Sequence, residues 1–414
     1  MSEPQVSPRI DALRERVDAG DDGALEAFWR RAEAEGTPLV EAIAGDDAHR
    51  LVTFVFRADR PLRNVVVSPG VENQYFPASN EMAVLPGTNL WYRTYRARSD
   101  LRISYHLSPD DPLRPLAAMS LDEQAAYTAE RARAWLTDPL NRDRFEFDPR
   151  TPAYSIAELP DAPPQRYVIR RSGVPEGTIE RHDLDRDPFG EGRRIWTYLP
   201  PAYHPTRGPY PLLVLFDGWG SRKLGVHTTL DNMIADGVIP STVCVMLHQL
   251  DRNIELPCNE RFADWLATDF VPRWVRPRYA VTADPAQTVV SGMSHGGLGA
   301  TWCAFRHPEV FGNVLSQSGS FWWRPEDQPH EWLTRQFDAS PALPVRHYMD
   351  VGLLEDGATP GEGPSMVQAN RHLRDVLRGK GNDVRYAEFN GGHDYVSWRG
   401  TIADGLAFLL GGRS

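Results

Sequence analysis

The sequence has 414 residues, a length that favours two domains over a single hydrophobic core. Hydrophobic residues make up 41% and charged residues 24% of the chain, as in ordinary water-soluble proteins, and no apolar run approaches the roughly 18 residues that span a bilayer. The formal net charge of −11 disfavours a nucleic-acid or anionic-membrane partner.

The amino terminus and the cysteines both indicate a cytoplasmic protein. Residues 1 to 16 mix charged and polar side chains, and they contain neither an apolar stretch nor a small-residue cleavage site, so no secretory signal is predicted. Cys244, Cys258 and Cys303 are odd in number and lack C-x-x-C or Cys/His spacing. That pattern disfavours both a disulfide framework and a structural zinc site.

The first 150 residues are predicted to form an N-terminal β-sandwich domain with short helices. Two helices are expected between residues 7 and 35, the first with Ser7 as N-cap and Pro8 at the first helical position. Short β-rich runs separated by Pro, Gly and Asn turns follow between residues 50 and 108, a pattern typical of an antiparallel sandwich. A capping-box sequence at Ser120 then predicts another helix.

A linker and an α/β domain are predicted beyond residue 150. Prolines are dense between residues 148 and 164, so the linker is placed at residues 151–165. Two β-rich runs, Tyr167 to Arg171 and Arg193 to Leu199, precede an alternation of buried strands and helices. That alternation predicts an α/β domain with a mainly parallel sheet over residues 166–414.

A candidate nucleophile lies in the segment Gly292-Met293-Ser294-His295-Gly296, which reads G-x-S-x-G. An apolar strand-like run precedes it and a helical run follows it, which is the context of the nucleophile elbow of α/β-hydrolases. The flanking glycines would let the backbone make a strained turn that exposes the Ser294 hydroxyl. An ordinary glycine-rich turn is the alternative interpretation.

The base and the acid are predicted from chain order, because in this fold the histidine comes last and the acid comes before it. His393 lies between the final strand-like run and the terminal helix, and it is the predicted general base. The loop after the preceding strand contains Glu355 and Asp356, and Asp350 within that strand is a third candidate. Glu355 is favoured, although any of these carboxylates could be a solvated charge.

Two backbone N–H groups should bind the oxyanion of a tetrahedral intermediate. The residue after the nucleophile, His295, would supply one of them. The second would come from the loop after an early strand, where Gly218 and Trp219 follow an apolar run ending at Phe216. A tight turn without a catalytic role is the alternative for this loop.

Four separated blocks of sequence carry a resemblance to a known family. They are Glu255-Leu256-Pro257-Cys258-Asn259 with Arg252 upstream, the elbow at residues 292–298, residues 315–323, and Gly391-Gly392-His393-Asp394 with Trp398-Arg399-Gly400.

In these blocks the sequence resembles the enterochelin esterases, which open the trilactone ring of ferric catecholate siderophores. The resemblance implies an α/β-hydrolase domain preceded by a β-sandwich domain. It also favours Glu355 over Asp356 as the acid. His295 occupies a position where this family often has an aromatic residue.

The implied substrate is a trianion with flat rings, so arginine and aromatic side chains are expected around the nucleophile. Core packing and surface charge are the alternative roles for such residues. The candidate substrate-binding residues are Arg261 and Arg324, the preferred substrate cations, together with Arg252, Trp219, Trp322 and Trp323. No metal-ligand cluster or phosphate-binding loop is apparent, so no cofactor is expected and the iron belongs to the substrate.

The predicted function is that of a serine esterase that hydrolyses the trilactone backbone of ferric catecholate siderophores and releases iron inside the cell. One alternative is an esterase of the same fold that acts on another ester, such as a feruloyl or thiol ester. An alternative of another class is a non-catalytic protein that binds a siderophore or a glycan. The expected partner is a small molecule, and neither nucleic acid nor membrane is expected.

Overall fold

The computed structural model describes residues 6–73, 75–116, 119–357, 359 and 363–412. The chain divides into two compact units. Unit 1 comprises Met1–Pro164, Leu353–Glu362 and Asn390–Ser397, and unit 2 comprises Gln165–Gly352, Gly363–Phe389 and Trp398–Ser414. Two short segments from late in the sequence therefore belong to the same unit as the N-terminal 164 residues.

The three helices predicted in the N-terminal part of the chain are present in unit 1. They are α1 Pro8–Asp18, α2 Ala24–Glu35 and α3 Leu121–Ala132. The Ser7 hydroxyl accepts a hydrogen bond from the Ile10 N–H, and Ser120 and Glu123 form the predicted capping box at the start of α3. Side-chain acceptors at both helix starts satisfy N–H groups that have no partner within the helix.

Two four-stranded antiparallel sheets make up the rest of unit 1. One has the order β1-β2-β5-β4 and the other β3-β6-β8-β7. Residues of both sheets share one core, in which the Phe54 ring meets Tyr95 at 5.7 Å and Tyr105 at 4.7 Å, edge to face. The predicted β-sandwich is confirmed. Its strands are β1 Leu39–Ile43, β2 Asp46–Arg57, β3 Val65–Ser68, β4 Ala83–Val84, β5 Leu90–Arg98, β6 Arg102–Pro109, β7 Arg144–Phe145 and β8 Tyr154–Glu158.

The stretch predicted as a linker, residues 151–165, contains strand β8. Its prolines lie on either side of Tyr154–Glu158 and not within it, so the strand keeps its N–H groups and pairs with β6 and β7. The β-rich run from Tyr167 to Arg171 is not a strand, and that prediction was wrong. The amide of Asn232 donates to the carbonyls of Tyr167 and Ile169, so these groups bond to a side chain instead of a neighbouring strand.

Unit 2 is built on one eight-stranded sheet with the order β16-β15-β14-β13-β11-β12-β10-β9. Neighbours from β12 to β16 are parallel, and the β10 pairs with β9 and β12 are antiparallel. This is the α/β-hydrolase arrangement, as predicted. The strands are β9 Thr178–Asp187, β10 Gly190–Leu199, β11 Leu212–Leu215, β12 Val243–Leu247, β13 Thr288–Met293, β14 Asn313–Gln317, β15 Arg346–Gly352 and β16 Val384–Phe389.

Helices connect the parallel strands and bring successive strand ends to one edge of the sheet. They are α4 Gly218–Lys223, α5 Val226–Ala235, α6 Arg252–Glu255, α7 Glu260–Trp265, α8 His295–Arg306, α9 Trp332–Ala339, α10 Met366–Gly379 and α11 Tyr395–Leu410, with a π-helix at Leu266–Val275. Across the residues that the structure describes, no helix combines the length and the hydropathy needed to cross a bilayer.

A buried ion network fixes the antiparallel edge of this sheet. Arg193 in β10 is 0% exposed, and its guanidinium bonds to Asp187 and, at 2.6 Å, to Glu255 in α6. The Trp265 ring lies 5.0 Å from the guanidinium carbon. Glu255, which belongs to one of the blocks that carry the family resemblance, therefore neutralises a charge that water cannot reach.

We expect Glu255→Leu to lower the free energy of unfolding by about 3–5 kcal/mol, because a fully buried guanidinium would lose one of its two carboxylate partners. Urea denaturation would measure this loss. The control is Asp236→Ala, which breaks the exposed Arg171–Asp236 pair of 2.8 Å and should cost far less. Equal losses in the two variants would contradict a structural role for Glu255.

Candidate active site

Ser294 occupies a sharp turn between β13 and α8. Its backbone has φ 58° and ψ −121°, a combination that non-glycine residues rarely adopt. A Cβ atom on Gly292 would lie 2.5 Å from the carbonyl carbon of Gly296, so no larger residue fits at position 292 without a shift of the backbone. The turn therefore has the strained strand-to-helix geometry of a nucleophile elbow.

Hydrogen bonds from β14 and the loop after it hold this turn in place. The Ser294 N–H donates to the carbonyl of Gln317 at 2.8 Å, and the Ser294 carbonyl accepts from the Ser320 N–H at 3.1 Å. The two serine hydroxyl oxygens lie 3.3 Å apart. No role for Ser320 is predicted from the sequence, although the residue belongs to the block 315–323 that carries the family resemblance.

The predicted oxyanion residues each begin a helix next to the elbow. His295 is the first residue of α8 and is 4% exposed, and Gly218 is the first residue of α4. A Cβ atom on Gly218 would lie 2.6 Å from the carbonyl carbon of Met246, so the backbone there packs directly against β12. Trp219, the alternative donor, is half-buried and lies one residue further along α4.

The predicted base and acid form a hydrogen-bonded pair in unit 1. His393 Nδ1 lies 2.6 Å from Glu355 Oε2, and the Glu355 side chain is buried. Asp356 is exposed, and Asp350 is buried within β15. A carboxylate on Nδ1 fixes the tautomer in which Nε2 can accept a proton, so this pair has the geometry of a general base and its orienting acid.

The segments that carry this pair are bonded to the sandwich of unit 1. The Arg102 N–H donates to the carbonyl of Asn390 at 3.0 Å, and the Leu354 N–H donates to the carbonyl of Gly391 at 3.0 Å. The Leu354 side chain packs against the sandwich core. Phe147 and Tyr395 stack with ring centres 4.1 Å apart.

Asp394, next to the predicted base, completes this anchoring. Its carboxylate accepts from the Ser104 N–H in β6 at 3.1 Å and from the Ser397 N–H at 2.9 Å. Burial raises the pKa of Asp394 to about 6, against the effect of these bonds, and the nearby Glu355 charge raises it further. Asp394 belongs to one of the blocks that carry the family resemblance, but no role for it is predicted from the sequence.

Two of the three predicted substrate arginines lie at the protein surface. Arg261 is exposed, with its guanidinium carbon 5.4 Å from the centre of the Phe189 ring. It lines an open pocket that also contains the carboxylates of Glu260, Asp264 and Asp269. Arg324 is exposed and donates to the carbonyl of Gln328 at 2.7 Å.

Arg252, the third predicted substrate arginine, is bonded to the elbow itself. Its Nε donates to Asp217 Oδ1 at 2.8 Å, and its Nη2 donates to the carbonyl of Met293 at 3.0 Å. Because Met293 directly precedes Ser294, this guanidinium lies next to the predicted nucleophile.

The three predicted substrate-binding tryptophans differ in how far they are buried. Trp322 is only 7% exposed, and its ring centre lies 6.2 Å from that of His295. Trp323 is half-buried and packs edge to face on Trp332 at 6.3 Å. Trp219 is half-buried, with Lys223 Nζ 5.7 Å from its ring centre. Trp322 therefore belongs largely to the packing behind the elbow.

We expect Asp394→Asn to gain stability relative to the wild type as the pH rises. The folded-state pKa of about 6 lies above the ordinary value of 3.8, so folding binds a proton that is lost as the pH rises through 6. The wild type should lose about 2 kcal/mol from this group between pH 4 and pH 7, whereas the variant has no carboxyl group to ionise.

Urea denaturation of both proteins across this pH range would measure the difference. Asp356→Asn, at an exposed carboxylate nearby, is the matched control. If the difference in free energy of unfolding between the wild type and Asp394→Asn does not change with pH, Asp394 does not have a raised pKa.

Comparison with known proteins places these features in a family. The family described as "Putative esterase" matches residues 188–409, and the family described as "Enterochelin esterase, N-terminal" matches residues 51–168. The iron(III) enterobactin esterase of Dickeya dadantii is 29% identical over 100% of this chain and 98% of its own length. The iron(III) salmochelin esterase of Escherichia coli O6:H1 is 30% identical over 97% of this chain and 98% of its own length.

Solved structures agree with these sequence matches. The ferric enterobactin esterase from Salmonella typhimurium superposes with a TM-score of 0.73 at 27% identity, covering 93% of this chain and 98% of that one. The enterobactin esterase from Shigella flexneri, crystallised in the presence of enterobactin, has a TM-score of 0.72 at 25% identity, covering 91% of this chain and 97% of that one. Both halves of the sequence match, and the chain belongs to the enterochelin esterase family of ester hydrolases.

Proposed function

We propose that this protein is a serine esterase that hydrolyses the trilactone backbone of ferric catecholate siderophores and so frees their iron in the cytoplasm. The observation that carries the substrate assignment is the match, over nearly the full length of both chains, to esterases named for iron(III) enterobactin and iron(III) salmochelin. The chemistry is supported independently by the elbow at Ser294 and by the bonded pair of His393 and Glu355.

The proposed triad is Ser294, His393 and Glu355. Strand order supports it, because β13, β14, β15 and β16 are parallel neighbours and their carboxyl ends lie at one edge of the sheet. Ser294 follows β13 directly, Glu355 lies in the turn Leu353–Glu355 after β15, and His393 follows β16 by four residues. This is the chain order nucleophile, acid, base that α/β-hydrolases use.

In the proposed mechanism, His393 Nε2 takes the proton of the Ser294 hydroxyl as its oxygen attacks a lactone carbonyl. The carboxylate of Glu355 holds the Nδ1–H and stabilises the imidazolium that forms. The N–H groups of His295 and Gly218 would bind the oxyanion of the tetrahedral intermediate.

Collapse of this intermediate breaks the ring ester bond, and His393 gives its proton to the departing serine oxygen of the substrate, which leaves as a hydroxyl. Water, deprotonated by His393, then attacks the acyl carbonyl, the bond to Ser294 Oγ breaks, and His393 returns the proton to Ser294 Oγ. The linear product leaves with a free carboxylate and can be cut again. A linear product holds its three catecholates less rigidly than the ring does, so ring opening weakens the chelation of iron.

The proposed nucleophile can be tested with Ser294→Ala. We expect the wild type to convert ferric enterobactin into ring-opened products and Ser294→Ala to lose essentially all of this activity, because covalent catalysis requires the hydroxyl. Chromatographic separation of the products measures the outcome, and Ser340→Ala, at the end of α9, controls for the loss of a serine elsewhere.

If the wild type cleaves a simple feruloyl or thiol ester through Ser294 but leaves the trilactone intact, the esterase chemistry stands and the siderophore assignment falls. If a fluorophosphonate fails to label Ser294, the catalytic proposal itself is wrong and a binding protein becomes the better interpretation.

The proposed acid can be tested with Glu355→Gln. We expect kcat to fall about 10³- to 10⁴-fold with KM little changed, because glutamine cannot stabilise the imidazolium and can hold the wrong tautomer. Steady-state kinetics on a chromogenic ester measures the change. Asp356→Asn is the matched control, and a large loss in that variant with Glu355→Gln active would assign the acid to Asp356.

A further inference from the structure

One guanidinium joins the two strand ends that carry the proposed nucleophile and the proposed oxyanion donor. Arg252 Nε donates to Asp217 Oδ1 at 2.8 Å, and Arg252 Nη2 donates to the carbonyl of Met293 at 3.0 Å. Asp217 directly precedes Gly218, and Met293 directly precedes Ser294. The Arg252 side chain thus contacts both the residue before the proposed nucleophile and the residue before the proposed oxyanion donor Gly218.

We propose that Arg252 and Asp217 are positioning residues that set the spacing of the oxyanion hole, and that Arg252 does not serve as a substrate cation. This inference rests on the proposed function, since it takes Ser294 as the nucleophile and the N–H groups of His295 and Gly218 as the oxyanion donors. It replaces the role that the sequence suggested for Arg252.

Several contacts hold Asp217 in the position from which it binds Arg252. Its backbone is left-handed, with φ 53° and ψ 48°, which is strained for a residue with a Cβ atom. Its N–H donates to Gln249 Oε1 at 2.8 Å, and its carbonyl accepts from the Ser221 N–H at 2.9 Å. A Cβ atom on Gly296 would lie 3.2 Å from Asp217 Oδ2, so the carboxylate lies directly against the elbow.

Arg252 is held by the buried ion network described above. Glu255 Oε1 accepts from the N–H groups of Leu250 and Asp251 at 2.8 and 3.0 Å, while Glu255 Oε2 binds the buried Arg193. The loop that delivers Arg252 is therefore anchored to β10. The Arg252 side chain is 37% exposed and the Asp217 side chain 19%, so the bond between them is partly shielded from water.

These bonds decide between a substrate role and a positioning role. To bind a substrate anion with its full guanidinium, Arg252 would have to release a charge-assisted bond to Asp217 and leave the Met293 carbonyl without this donor. A positioning role uses the bonds as they stand. Oxyanion donors act only within about 2.7–3.1 Å of the developing charge, so a small shift of either strand end would lower the rate.

The experiment compares Arg252→Ala, Arg252→Lys, Asp217→Asn and the Arg252→Ala/Asp217→Asn double variant on two substrates. Ferric enterobactin is a trianion, and p-nitrophenyl butyrate is uncharged. We expect kcat to fall about 10- to 100-fold on both substrates with KM within about twofold, because the loss is in the geometry of the transition state. The double variant should lose no more than the worse single variant, since the pair acts as a unit.

Guanidinium ion added to Arg252→Ala should restore part of kcat, and methylammonium should not, because only the planar ion can make both bonds. The matched control is Arg346→Ala. Arg346 also binds a carboxylate, Asp383, at 2.9 Å and two backbone carbonyls, those of Leu409 and Phe408, but it lies at the opposite, amino-terminal end of β15. Its loss should leave kcat unchanged.

A rise in KM for ferric enterobactin alone, with kcat and the uncharged ester unaffected, would overturn the inference and restore the substrate-cation role. Additive losses in the double variant would also overturn it. If Arg252→Ala does not fold, Arg252→Lys and Asp217→Asn provide the same kinetic comparison. Failure of the proposed function looks different: the wild type itself would not turn over ferric enterobactin, or Ser294→Ala would remain active on the uncharged ester.

Discussion

The strained, positive-φ backbone of Ser294 is the constraint around which the centre of unit 2 is arranged. Such a conformation costs on the order of 1–3 kcal/mol and persists only where its surroundings enforce it. At Ser294 they do so through the carbonyl of Gln317, the N–H of Ser320, and the close backbone approach at Gly292 that excludes any side chain. The turn therefore requires β14, the loop after it and the start of α8 to keep these positions relative to Ser294.

The sequence predicts those parts of the fold that are determined by residues close together along the chain. The elbow is readable because glycine spacing, a preceding apolar run and a following helix all lie within about ten residues of Ser294. Chain order predicts a base at His393 and an acid after the preceding strand, but it leaves Glu355, Asp356 and Asp350 as alternatives, and the family resemblance is what favours Glu355 over Asp356. The capping residues Ser7 and Ser120 can be predicted because each acts within three residues.

The parts that the sequence does not predict depend on contacts between distant residues. Nothing local separates an Arg252 that binds substrate from one that binds Asp217, 35 positions away. Nothing local indicates that Asp394 bonds to Ser104, 290 positions away. Tyr167 to Arg171 has strand-like composition, but Asn232 takes the carbonyls that would have formed a ladder. Strand β9 is rich in charged residues, so hydrophobic periodicity gives no signal for it.

The discontinuous make-up of unit 1 also affects how the chain can fold during synthesis. The sandwich strands end at Glu158, yet their core includes Leu354, and the segment that ends at Ser397 belongs to the same unit. At translation rates of about 5–20 residues per second, Leu354 leaves the ribosome about 10 to 40 s after β8. The core of the nascent sandwich therefore stays incomplete during this interval, and the proposed base acquires its anchors only after residues 390–397 have been made.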